Sequence, residues 1–208
     1  MLKRNLLTAC SFIFILTGLR AQISIGAQFS TFNVPSASFK TMGFGITGQL
    51  ETNPSTALSL TLGYFAKTEP LDSIGELAGN GGSATYYRFQ DKFSFLTFSA
   101  NFHRYLIGST SPDKIFSVFV GAGVGIVYSV QKTSFVDLNP PQTKKATLVT
   151  GGFEFYLGAD VKLGFAKLFV KGRANFMLKH IVPVDDATSI PLLANTQIGL
   201  LVPLKRDN

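Results

Sequence analysis

Apolar and polar residues alternate with a period of two over residues 147–163, where for example Phe153 is followed by Glu154. This is the pattern of a β-strand, because successive side chains of a strand point to opposite faces. The alternation pauses at residues 164–167 and resumes over residues 168–178. The two stretches therefore predict a hairpin with one apolar face and one face that carries charged groups.

The same alternation recurs along the chain and predicts eight strands. They are residues 22–32, 41–51, 56–67, 87–105, 115–130, 147–163, 168–178 and 192–204. Long loops at residues 33–40, 68–86, 131–146 and 179–191 alternate with short turns at residues 52–55, 106–114 and 164–167. An even strand number with short turns at one end and long loops at the other is the plan of an outer-membrane barrel. We therefore predict an all-β fold, an eight-stranded antiparallel up-and-down transmembrane β-barrel with periplasmic termini.

The apolar faces could meet either lipid or a protein core. Most predicted strands reach the roughly 9–11 residues that a tilted membrane strand needs, whereas strands of soluble sheets have about 5–6. Aromatic residues of the apolar faces lie near the strand ends, with Tyr64 and Tyr128 toward the long loops and Phe102 and Phe116 toward the short turns. Such girdles are typical of membrane barrels. The alternative is a soluble periplasmic β-sandwich or ligand-binding barrel, which would bury its apolar faces.

The predicted strand at residues 87–105 is irregular. Lys92 falls on the side of the apolar residues, and Phe93 and Phe95 fall on the other side. Two explanations are open, since either a β-bulge shifts the register or this half of the strand lies beyond the lipid.

Residues 1–21 predict a cleaved secretory signal peptide, with Lys3 and Arg4 before an apolar run too short to span a membrane. A lipoprotein cleavage box at Cys10 fits less well, because this residue precedes most of the run. Cleavage removes the only cysteine, so residues 22–208 form one barrel domain without disulfides. It also lowers the net charge from +7 to +4, since Lys3, Arg4 and Arg20 leave with the signal. The remaining cationic residues are scattered, which argues against a nucleic-acid partner.

The pattern as a whole resembles the small eight-stranded outer-membrane barrels of the OmpX type and of the OmpA membrane domain, in the porin-family version common in Gram-negative bacteria of the Bacteroidetes type. The last strand carries the most specific part, with Gln197, Gly199 and the apolar Val202 and Leu204 spaced like the terminal assembly signal of such barrels. Aromatic residues are more usual at the last two positions. The resemblance implies an outer-membrane location and insertion by the barrel assembly machinery.

In a membrane barrel the charged faces point into the lumen and must pair there. The predicted polar network of the lumen consists of Glu51, Lys67, His103, Glu154, Asp160, Lys162, Lys171 and Arg173. Antiparallel pairing about the turn at residues 164–167 would bring Asp160 near Lys171. An eight-stranded barrel leaves room for side chains and little more, which favours a closed polar plug over a narrow porin-like channel.

Enzymatic and nucleotide-binding readings are weaker. Ser99 and His103 stand four residues apart on one strand, hence about 13 Å from each other, and His180 with Asp185 and Asp186 falls in a predicted loop. The glycines at 79–82 and 121–125 lack the helix that a phosphate-binding motif requires. We therefore predict neither an enzyme nor a bound cofactor or metal. The expected partners are outer-membrane lipid, the assembly machinery, and an envelope or extracellular protein bound through the long loops.

Overall fold

The computed structural model describes residues 22–76, 85–108, 115–138, 140–182 and 190–204. These residues form nine strands and one short 3-10 helix. The strands are β1 (Gln22–Val34), β2 (Phe39–Asn53), β3 (Thr56–Thr68), β4 (Asp72–Glu76), β5 (Thr85–Ile107), β6 (Phe116–Phe135), β7 (Gln142–Leu163), β8 (Ala166–Met177) and β9 (Leu192–Pro203), and the helix is Pro35–Ala37. The predicted signal peptide lies outside this part of the chain and stays a prediction.

Eight of the strands close into a barrel. In this ring each strand pairs in antiparallel fashion with the next ring strand along the chain, so that β3 pairs directly with β5, and β9 closes the ring on β1. Strand β4 lies outside the ring and pairs with β5. The predicted fold class is therefore confirmed: the chain is all-β, and eight antiparallel strands form a ring. Among the described residues, no helix has the length and apolarity needed to cross a membrane.

The apolar side chains of the ring point outward. Phe44 and Phe153 are 67% and 62% exposed, whereas Glu51 and Glu154 on the opposite faces are 5% and 3% exposed. A soluble sandwich or ligand-binding barrel would bury the first set and expose the second. The exposed apolar side chains continue around the ring as a belt, which is the surface that a membrane barrel offers to lipid.

Two of the four connections predicted to be long loops are shorter. Strands β1 and β2 extend to Val34 and from Phe39, so only the 3-10 helix and Ser38, at φ 50°, separate them. Strands β6 and β7 continue through the predicted loop at residues 131–146 and leave only residues 136–141 between them. The prediction was wrong here because polar and charged residues replace the apolar ones, so the pairing continues without a visible alternation of hydropathy.

The extended strands build a sheet that rises beyond the rest of the barrel. It consists of β4 together with residues 85–92 of β5, 130–135 of β6 and 142–147 of β7, and we call it the projecting sheet. Strand β4 lies in the predicted loop at residues 68–86; its glycine-rich part, residues 79–82, lies outside the described residues. Arg88 binds Asp137 at 2.7 Å at the edge of this sheet, and that hydrogen bond holds the pKa of the Asp137 carboxyl below its ordinary value.

The irregular half of β5 contains no bulge. Its pairing with β6 runs without interruption from Phe89 opposite Phe135 to Tyr105 opposite Phe119, and the one shift follows Tyr105. Phe93 and Phe95 consequently point into the barrel and Lys92 points out. The bulge is therefore excluded as the reason for the inverted pattern.

The β7–β8 hairpin differs from its predicted register by two residues. Its turn contains only Gly164 and Phe165, and Gly164 has φ 65°, as the first position of a two-residue hairpin turn requires. Asp160 therefore lies opposite Phe169, and the partner of Lys171 is Gly158. An offset of two keeps every side chain on its predicted face.

Candidate functional site: the interior of the barrel

The lumen contains a balanced set of buried charges, which we call the lumen charge network. Within the described residues, three acidic and three basic side chains are buried there: Glu51, Glu154, Asp160, Lys167, Lys171 and Arg173. Charges removed from water are costly unless they pair and hydrogen-bond. The equal numbers of the two signs satisfy this condition for the lumen as a whole.

One ion pair of the network joins Glu51 to Lys167. Lys167 Nζ donates to Glu51 Oε1 at 2.5 Å, and the two side chains are only 6% and 5% exposed. Gln49 Nε2 donates to the same carboxylate oxygen at 3.2 Å and to the Tyr105 hydroxyl at 3.3 Å. The pair lies beside the short turns, because Glu51 ends close to the β2–β3 turn and Lys167 follows the β7–β8 turn.

A second ion pair crosses the middle of the barrel. Arg173 Nη1 lies 3.0 Å from Glu154 Oε2, although the angle is not that of a hydrogen bond, and both side chains are 4% exposed. The same guanidinium donates to Ser99 Oγ at 2.9 Å and to Gln197 Oε1 at 3.3 Å. Arg173 thus ties β8 to β5, β7 and β9 across the lumen.

A small cavity lies between the two ion pairs. It has a volume of about 10 Å³, and His103, Asp160 and Lys171 are among the residues that line it. The Lys171 ammonium lies 5.2 Å and 5.7 Å from the ring centroids of Phe169 and Tyr156. This volume accommodates about one water molecule.

Six of the eight residues predicted for the polar network are buried in the lumen, and two are partly exposed near the strand ends. Glu51, Glu154, Asp160, Lys171 and Arg173 are buried charges of the lumen, and His103 is buried beside them. Lys67 lies near the end of β3 and binds Glu69 at 2.6 Å with its side chain 29% exposed, and Lys162 is half-buried near the turn end.

Lys167 is the network residue that sequence reasoning missed. The sequence pattern predicts a turn over residues 164–167, which places Lys167 outside the strand, whereas β8 begins at Ala166. Lys167 has an odd number, as Lys171 and Arg173 do. Because alternate residues of a strand share a face, this numbering could have placed Lys167 in the lumen.

The end of the lumen opposite the short turns is apolar. Five inward phenylalanines pack together there and form what we call the phenylalanine plug: Phe32, Phe39, Phe65, Phe93 and Phe95. The Phe32 ring centroid lies 4.9 Å from those of both Phe65 and Phe95. Ile181 and Val182, which follow β8, are buried against the same cluster. The prediction of a polar plug did not include this apolar layer, which lies above the charges.

Glycines on the inner face make room for large side chains of the neighbouring strand. Gly121 lies opposite Tyr156, and Gly158 lies opposite Phe119. An added Cβ at Gly121 would lie 2.2 Å from the Tyr156 ring, and one at Gly158 would lie 2.5 Å from the Phe119 ring. The space left by Gly121 and Gly158 is therefore filled by the aromatic rings of Tyr156 and Phe119.

Replacing Gly158 by alanine is expected to destabilise the barrel by about 1–3 kcal/mol, because the added methyl overpacks the Phe119 ring and approaches the Val170 carbonyl oxygen at 2.8 Å. Gly172 on the adjacent strand is the matched control, since its Cβ would meet nothing within 4 Å. Urea unfolding of both variants in the same lipid vesicles measures the difference. Equal unfolding midpoints for the two variants would contradict this packing.

The residues considered for catalysis are engaged in other contacts. Ser99 Oγ accepts hydrogen bonds from Arg173 and from Asn101 Nδ2, and His103 Nδ1 lies 3.2 Å from the Tyr156 hydroxyl. His180 is described and has its own partner, whereas residues 185 and 186 lie outside the described part of the chain. Ser99 and His103 are thus each engaged with other residues, and the structure leaves the pairing of His180 with residues 185 and 186 untested.

The ring, the outward apolar belt and the filled polar lumen define the class: an eight-stranded barrel of the membrane-spanning type. No family model matches the chain, and none of the curated proteins matches it. Solved structures do match. Ail, the attachment invasion locus protein of Yersinia pestis, is 11% identical with a TM-score of 0.51, and the match covers 88% of this chain and 97% of that chain. Neisserial surface protein A is 12% identical with a TM-score of 0.50 and the same coverage.

Both of these proteins are small eight-stranded outer-membrane barrels. At such low identity the likeness shows the fold alone. Ail has also been solved in complex with the heparin analogue sucrose octasulfate. The Bacteroidetes-type origin stays a prediction, because neither match bears on it.

Proposed function

We propose that the chain is an integral protein of the outer membrane, with a closed lumen and no catalytic activity, and that its projecting sheet is the surface for contacts outside the membrane. The observation that carries the location is the inverted burial of the ring, with apolar side chains outside and charged ones inside. Such a surface is stable only where lipid covers it. The likeness to two outer-membrane barrels supports the same location.

The closed lumen is supported at three heights. The phenylalanine plug fills one end, the Arg173–Glu154 pair crosses the middle, and the aromatic cluster of Tyr105, Phe119 and Tyr156 fills the space near the short turns. The cavity between them holds about one water molecule. The role that fits this interior is structural or surface-interacting, and the narrow porin-like channel is the less favoured alternative.

The projecting sheet supports a contact role. Strands β5 and β7 contain 23 and 22 residues, against 12 in β8, so one side of the barrel rises well above the other. Exposed elements held by a rigid scaffold are where binding resides in such proteins. The partner we propose is an envelope or extracellular protein, and the barrel assembly machinery would act during biogenesis.

Three measurements on the full-length protein test this proposal. Because lipid-facing barrels resist extraction, the chain should stay in the membrane pellet at high pH. Because a folded barrel is compact, the chain should migrate faster on detergent gels before heating than after it. Folded protein in planar bilayers should give no stable openings, since the lumen is filled. Release at high pH would refute the membrane location, whereas stable openings of porin size would refute the closed lumen and leave the location intact.

A further inference from the structure

Three lysines stand side by side on the outer surface of the barrel. Lys92 of β5 lies directly opposite Lys132 of β6, and Lys132 lies directly opposite Lys145 of β7. All three are exposed and share the outward face with the apolar belt. Directly paired residues on one face have Cβ atoms about 5 Å apart, so three positive charges lie within about 10 Å. We call this group the lysine row.

The lysine row lies just beyond the apolar belt. Four residues down each strand, Leu96, Tyr128 and Val149 form an outward row of their own, each 41–61% exposed. Four residues rise about 13 Å along a strand, which is about 10 Å of height at a tilt near 40°. Aromatic side chains such as Tyr128 mark the membrane–water interface. The lysine row therefore lies at the depth of the lipid headgroups.

Within the described strands β5, β6 and β7, no acidic side chain lies beside the lysine row on the outer face. Asp91, one residue from Lys92, points to the inner face and accepts hydrogen bonds from Gln131 and Thr133. Asp137 is bound to Arg88. Like charges directly opposite one another on a sheet are destabilising, so the arrangement calls for an anion from outside the chain.

We propose that the lysine row binds the phosphate groups of a membrane lipid, specifically a glycolipid of the outer leaflet that carries two phosphates. This inference rests on the proposed outer-membrane location. The lipid is favoured over a free anion because the apolar belt continues directly below the lysines on the same three strands, where the acyl chains of the same molecule would lie. Lysine ammonium groups are compact donors on long stems and can reach phosphates at slightly different depths.

Binding of diphosphorylated lipid A to the full-length protein in non-ionic detergent, followed by native mass spectrometry, tests the proposal. The variant K132Q/K145Q should bind this lipid at least tenfold more weakly than the wild type, because each lysine near an anionic headgroup contributes separately. The variant K144Q/K179Q is the matched control, since it removes the same charge and Lys144 lies on the inner face. The variant K132R/K145R should retain binding.

Three outcomes would overturn the proposal. They are equal losses in K132Q/K145Q and K144Q/K179Q, no loss in K132Q/K145Q, or full displacement of the lipid by an equal concentration of inorganic phosphate. Each variant must show the heat-dependent gel shift, which reports the folded barrel independently of the lipid. A failure of the gel shift in the wild type would count against the membrane location, and a failure of lipid binding alone would count only against the lysine row.

Discussion

Replacing Arg173 by methionine alone should destabilise the barrel by about 3–5 kcal/mol, because it leaves the Glu154 carboxylate buried without its cation. Methionine keeps most of the volume of the arginine stem, so the loss reports mainly the charge. The double variant Arg173→Met with Glu154→Gln should recover more than half of that loss, since neutral groups replace both partners. Urea unfolding in lipid vesicles, followed by the heat-dependent gel shift, measures the free energy of unfolding of the wild type, of Arg173→Met and of the double variant.

Glu51→Gln supplies the control for this cycle. Glu51 is paired with Lys167 and not with Arg173, so combining Glu51→Gln with Arg173→Met should recover nothing and should add a further loss. Recovery of equal size from Glu51→Gln and from Glu154→Gln would mean that the lumen responds only to net charge. That outcome would contradict the specific pairing.

Replacing Phe95 by alanine should cost about 3–5 kcal/mol, because its ring is fully buried in the phenylalanine plug and its removal leaves a cavity. Phe98 on the same strand is the matched control. It is 46% exposed on the apolar belt, where acyl chains can fill the space that the ring leaves, so Phe98→Ala should cost less than about 1.5 kcal/mol. A larger loss for Phe98→Ala than for Phe95→Ala would place the apolar belt inside a protein core.

The sequence predicts which residues of each strand face outward and which face the lumen, because lipid requires apolar side chains and the lumen accepts polar ones on alternate residues. Phe153 and Glu154 show this most plainly, and both lie on the faces that alternation indicates. The alternation disappears where all residues are polar, as around Lys132 and Lys145. The strands cannot be predicted from hydropathy there, although their backbone pairing continues. The lengths of β6 and β7 were therefore underestimated.

Contacts across the lumen could not be predicted by alternation, which fixes the face of a residue but not its partner. Glu154 and Arg173 were both expected inside, yet their pairing depends on a turn of two residues at Gly164 and not on the four residues assumed. The phenylalanine plug was missed for a related reason. Phe93 and Phe95 break the polar character of the inner face, and only the closed ring shows that Phe32, Phe39 and Phe65 meet them from other strands.

The central claim is that lipid covers the apolar belt while the opposite face lines a closed lumen. The chain contains no tryptophan, so a single introduced tryptophan reports its surroundings without background. Phe155 and Tyr156 are adjacent, with exposures of 54% and 6%. In vesicles that contain brominated lipid, the fluorescence of Phe155→Trp should be strongly quenched and that of Tyr156→Trp should be nearly unchanged. The neighbouring pair Leu168→Trp and Phe169→Trp repeats the test on β8. Quenching of equal strength at the outward and inward positions, or quenching at neither, would contradict the claim.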